Sequence, residues 1–168
     1  GSTPYPSGWN HAAYPYRSKS TGKFLMIGGD EAFPYQLMEG PRARRRAAGW
    51  IHIFEWDEWD SPREVARYQV PEAGTHNLWV EDDILYIAYY NGGLRVVDIS
   101  GEMRGDLYRQ GREIASFRPY DPETVKPNSP FVWGPQPFKG HIYIADNTSG
   151  LWALKLVDAK PVNLGEPH

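Results

Sequence analysis

Residues 75–119 read THNLWVEDD, ILYIAYYNG, GLRVVDIS, a polar turn, and GREIASFRP. These are four short strand-like runs. Each mixes β-branched and aromatic residues with partial alternation. Asp82-Asp83, Asn91-Gly92-Gly93 and Ser100-Gly101 punctuate them as turns. No helical periodicity runs through the stretch. The pattern predicts one four-stranded antiparallel unit.

The same unit recurs on either side. Upstream, NHAAYPYRS, KFLMIGG, IHIFEW and EVARYQV take the places of runs one to four. Downstream, FVWGPQPF, HIYIADN and GLWALKLV take the places of runs one to three. Glu64-Val65-Ala66 and Glu113-Ile114-Ala115 open the two fourth runs, and Gly93-Leu94 and Gly150-Leu151 open third runs. A period of about 40 to 50 residues with four strands per repeat is the signature of a β-propeller blade. The competing reading is a plain β-sandwich whose repeats are coincidental. The expected fold is therefore all-β: a partial β-propeller of about three four-stranded blades, the last lacking its outer strand. The organisation expected is an N-terminal arm at 1–8, blades within 9–158 (about 9–70, 75–119 and 131–157), and a tail at 159–168. The connection 30–49 is long, and Gly40-Pro41 breaks it.

Three blades cannot close a ring, since propellers close with about four to eight. The expectation is a ring completed by a second polypeptide (the N-terminal part of the same propeller) or by another copy of this chain. An open end would expose a strand edge and an apolar face, which natural proteins avoid.

Composition fits. The chain has 168 residues, with Trp 7, Tyr 11, Phe 6, Gly 17 and Pro 15. The net charge of −3 argues against generic nucleic-acid binding. Without cysteine there are no disulfides and no thiolate metal ligands. The longest strongly apolar run, 84–90, is too short for a membrane span.

The patterns THNLWV…ILYIAYYNGGLRVVDIS and PFVWGPQPFKGHIYIADNTSGLWALKL resemble LVIVD-repeat proteins. The resemblance covers roughly residues 9–157 and is strongest in the middle unit. The first unit departs from it at Trp50, where the pattern has Gly, and the third at Lys155, where it has Asp. The resemblance implies a bacterial β-propeller that is secreted, periplasmic or on the cell surface. It implies no particular activity or cofactor.

Propeller geometry brings the links between blades and the second-to-third-strand connections to one end. First strands begin there and second strands finish there. His11 and His76 then hold equivalent positions near the channel rim, with Trp133 near the third. Asp30, Glu31, Asn91 and Asp146 approach the same end. His11, His76, Asp30, Glu31, Trp133 and Asp146 are the ligand or metal candidates, histidine being a common ligand. The alternative for each histidine is a structural bond to a neighbouring blade. Arg42, Arg44, Arg45 and Arg46 are candidates for an anion or acidic partner, or else a solvated loop. His52 and His141 read as packing or surface residues. There is no nucleophile elbow, phosphate loop or HExxH motif. The sequence thus favours an interaction or binding module. The alternative is a metal-dependent enzyme or small-ligand binder with its site at the channel mouth.

Overall fold

The computed structural model describes residues 2–3, 9–36 and 45–157. Fourteen strands run through the described residues, with no helix among them. In the first sheet, β1 (Asn10–Arg17), β2 (Phe24–Asp30), β5 (Ile51–Glu55) and β6 (Arg63–Tyr68) pair antiparallel in that order. The short β10 (Gly105–Asp106) adds in parallel at the β6 edge. The second sheet comprises β7 (Leu78–Glu81), β8 (Ile84–Ala88), β9 (Leu94–Asp98) and β11 (Glu113–Phe117), paired as consecutive neighbours. The third comprises β12 (Val132–Phe138), β13 (His141–Asp146) and β14 (Gly150–Leu154). Each group of runs found in the sequence forms one antiparallel sheet.

Two features differ from the expectation. The connection 30–49 carries a hairpin of β3 (Ala32–Gln36) and β4 (Arg45–Ala48). Arg42 and Arg44 lie outside the described residues, and Arg45 and Arg46 belong to β4. The polar turn after β9 is the second, since its β10 bridges to β6 of the neighbouring sheet.

The middle sheet explains its own apolar sequence. Leu85, Ile87 and Val97 face the first sheet and join Leu25, Ile27, Ile51, Ile53 and Tyr68 in one core. Ala88, Leu94 and Val96 face the third sheet and join Val132, Ile142 and Ile144 in another. A strand buried on both faces cannot alternate apolar with polar, so ILYIA and VV are continuous. Each fully buried Leu or Ile contributes about 1.5–3 kcal/mol.

The turns are equally specific. Asp82 and Asp83 have φ of 55° and 58° and form the two-residue link from β7 to β8. Two consecutive positive φ values match the twist of a tight hairpin and suit Asp. The Asp83 carboxylate accepts the amide hydrogens of Lys19 (3.0 Å) and Ser20 (2.7 Å), tying the β1–β2 turn to the second sheet. Gly93 has φ of 78°, and a Cβ there would lie 2.1 Å from the Phe117 carbonyl oxygen. The glycine of the third-strand pattern is fixed by that approach.

Both fourth strands carry a two-for-one irregularity at the same place. Glu64 and Ala66 oppose Phe54 and Ile53, and Glu113 and Ala115 oppose Val97 and Val96. Each glutamate meets a buried third-strand partner. Glu64 Oε1 lies 2.8 Å from His52 Nδ1, and Glu113 accepts two bonds from Arg95 Nη1 at 3.0 and 3.1 Å. His52 also reaches Asp30 Oδ2 at 3.1 Å. Burial alone disfavours a charged His52 ring, but the hydrogen bonds to Asp30 and Glu64 and their charges outweigh it and hold its pKa above the usual value.

Candidate functional site

The three first strands lie side by side, β1 against β7 and β7 against β12. Their starts bring together side chains from all three sheets. His11 comes from β1, and Glu31 from the residue between β2 and β3. His76 precedes β7, and Trp133 lies on β12. The imidazoles of His11 and His76 stack with centroids 4.5 Å apart and planes 25° from parallel. His11 Nδ1 is 3.2 Å from Glu31 Oε2, and His76 Nε2 is 3.9 Å from Glu31 Oε1.

The outward nitrogens are held by oxygen acceptors. His76 Nδ1 donates to the Trp133 carbonyl at 2.7 Å, and His11 Nε2 donates to Asn77 Oδ1 at 3.1 Å. The Tyr90 hydroxyl donates to Glu31 Oε1. Burial, then the bond to Glu31 and its charge, push the Tyr90 hydroxyl well above the ordinary tyrosine range, so it serves as a neutral donor. An aromatic wall backs the cluster. Tyr90 lies 5.2 Å from the His76 ring, 4.3 Å from Phe131 and 5.5 Å from Phe33. Below the rim, Ala12, Tyr14, Asn77, Trp79, Gly134 and Gln136 line a groove along the first strands.

Of the residues singled out from the sequence, His11, Glu31, His76 and Trp133 are brought together. Asp30 and Asp146 are not part of this cluster. The Asp30 side chain turns into the first sheet towards His52 and the Trp50 amide. Asp146 is buried and spent on its own turn, accepting the amides of Phe131 (2.6 Å), Thr148 (2.9 Å) and Ser149 (2.8 Å). Burial raises its pKa, but these backbone and hydroxyl bonds prevail and hold it below the usual carboxylate value. Both residues are short acids at strand ends, where backbone donors need acceptors. Asn91 donates to the Glu72 carbonyl and is likewise structural. His141 bonds the Lys139 carbonyl in the β12–β13 turn, away from the cluster.

Asn77, Tyr90 and Phe131 also join the site, although sequence reasoning did not select them. The available signal was position: Asn77 follows His76, and Tyr90 follows the second strand as Glu31 does. Among the described residues, no helix is long and apolar enough to cross a membrane.

No curated protein and no solved structure matches the chain. Residues 74–102, spanning β7, β8 and β9, match the family model of the LVIVD repeat. That match lies in the middle sheet, the unit where the sequence resemblance to LVIVD-repeat proteins is strongest.

Proposed function

We propose that the chain forms part of a β-propeller-type binding module, with its sheets as blades and further sheets closing the ring. The observation that carries this reading is a pair of equivalent leucines. Leu94 and Leu151 each follow the glycine that opens a third strand. Leu94 is 2% exposed beneath the third sheet, whereas Leu151 is 86% exposed. Tyr143 and Phe138 share the open face of the third sheet with Leu151, at 43% and 58% exposure. Beyond β14, no outer strand follows among the described residues, whereas β6 and β11 occupy that place in the other sheets.

Covering Leu151 alone contributes about 1.5–3 kcal/mol. A further sheet stacked there repeats the packing between the second and third sheets. The LVIVD resemblance supports an extracellular or cell-surface setting, with the His11–His76–Trp133 end as the binding surface. Native mass spectrometry tests the closure. An assembly, either copies of this chain or an unlike polypeptide carrying further blades, is expected, and Leu151→Asp should dissociate it. A folded monomer at high concentration that leaves Leu151 open to solvent labelling would overturn the reading.

A further inference from the structure

We propose that His11, His76 and Glu31 bind one divalent transition-metal ion of the zinc class, with a coordination position left open. The inference rests on these side chains and not on ring closure.

The hydrogen bonds fix the tautomers. A backbone carbonyl only accepts, so His76 Nδ1 carries the hydrogen towards Trp133, and a neutral ring then presents its Nε2 lone pair to Glu31. Asn77 Oδ1 does the same for His11, leaving the Nδ1 lone pair facing Glu31 Oε2. Two lone pairs and a carboxylate thus converge from different sheets, their ligand atoms all within 4.8 Å of one another. Lone pairs aimed at a carboxylate repel unless a proton or a cation lies between them. A proton on His11 would serve one contact only, because His76 Nε2, at 3.9 Å, is beyond hydrogen-bond reach of Glu31. One cation serves all three.

The dimensions fit. Bonds of about 2.0 Å in a tetrahedron put ligand atoms about 3.3 Å apart. The His11–Glu31 separation of 3.2 Å already matches, whereas the His76–Glu31 separation of 3.9 Å, which runs to the other carboxylate oxygen, and the widest spacing of up to 4.8 Å close by side-chain rotation around the ion. The surroundings match what metal-bound histidines need. Each outer N–H is held by an oxygen, and the carboxylate receives the Tyr90 hydroxyl. Two imidazoles with one carboxylate suit zinc or its neighbours, whereas calcium and magnesium prefer all-oxygen cages. Three protein ligands leave a fourth tetrahedral position vacant. The His11 and Glu31 side chains are 31% and 32% exposed, so that position is reachable from solvent.

The test is titration of metal-free protein with Zn²⁺, and with Co²⁺ read by visible absorption, alongside metal content after dialysis. One equivalent of Zn²⁺ per chain is expected, with tetrahedral-type Co²⁺ bands and no competition from Ca²⁺. His11→Ala and His76→Ala should each abolish the stoichiometric step. Asn77→Leu, which removes only the partner of His11, should weaken binding about 10- to 100-fold. His141→Ala should leave it unchanged. Glu31→Gln, close in shape to the native side chain, guards against loss through misfolding and should also abolish the Co²⁺ bands. No stoichiometric uptake by the folded native protein would overturn the proposal. Uptake retained in a folded His11→Ala/His76→Ala variant would also overturn it. The native mass of the assembly reports separately on ring closure.

Discussion

The hydroxyl of Tyr89 joins the first two sheets, and its removal should be costly. Tyr89 is fully buried. Its oxygen accepts the amide hydrogen of Val70 at 3.3 Å and lies within donating distance of the carbonyls of Gly49 (3.1 Å) and Tyr68 (3.2 Å). Gly49 precedes β5, Tyr68 ends β6 and Val70 follows it, so one hydroxyl from beside the second sheet accepts from one backbone amide of the first and donates to one of its two carbonyls at a time. Tyr89→Phe keeps the ring and its edge-on contact with Tyr68 at 5.8 Å. It therefore isolates the hydroxyl. Leaving the buried Val70 N–H unpaired costs about 1–3 kcal/mol, and losing the donor to a carbonyl adds about 1 kcal/mol. The expected destabilisation is about 2–4 kcal/mol, a large share of the roughly 5–15 kcal/mol that holds a domain folded. At a urea m-value near 2 kcal/mol/M this moves the midpoint down by about 1–2 M without changing the slope. Tyr86→Phe is the control. Tyr86 is half-buried against the third sheet, and its substitution should stay within about 0.5 kcal/mol. Equal midpoints for the two variants would refute the assignment of the Tyr89 hydroxyl as the bridge between sheets.

Two further outcomes follow from the packing and the charges. Gly93→Ala places a methyl against the Phe117 carbonyl at a positive φ, so it should cost several kcal/mol in urea unfolding, whereas Gly101→Ala, with open space around it, should cost only about 1 kcal/mol. The raised pKa of His52 means the folded state holds its proton more tightly than the unfolded chain, for which the value is about 6.5. The resulting stability is fully present below that value and is lost as pH rises through the folded-state value. The native protein should therefore lose stability on going upward from about pH 6.5 relative to His52→Gln. Parallel pH profiles for the two proteins would contradict the sign.

The strands were legible because their burial is regular. HIYIAD alternates, since one face of β13 is covered, and ILYIA does not, since β8 is covered on both. The β3–β4 hairpin was not legible: it is short and irregular, and Gly40-Pro41 between its strands suggested only a break. β10 is two residues long and pairs with a different sheet, so no local pattern announces it. At the site, His11 and His76 were legible as equivalent starts of first strands, and Glu31 as a second-strand end. Tyr90 was missed because a tyrosine at a strand end reads as packing until its hydroxyl is seen to reach Glu31. Position alone groups Asp30 with the site, and the bond to His52 that draws it away joins residues on either side of the β3–β4 hairpin.

The convergence of the three sheets on one end is tested most directly by a nuclear Overhauser measurement between the ring protons of His11 and His76. These residues are 65 apart in sequence and come from different sheets, yet their ring centroids are 4.5 Å apart. A strong cross-peak between assigned imidazole protons is predicted. Its absence, with both rings assigned and sharp, would contradict the side-by-side arrangement of the first strands on which the candidate site depends.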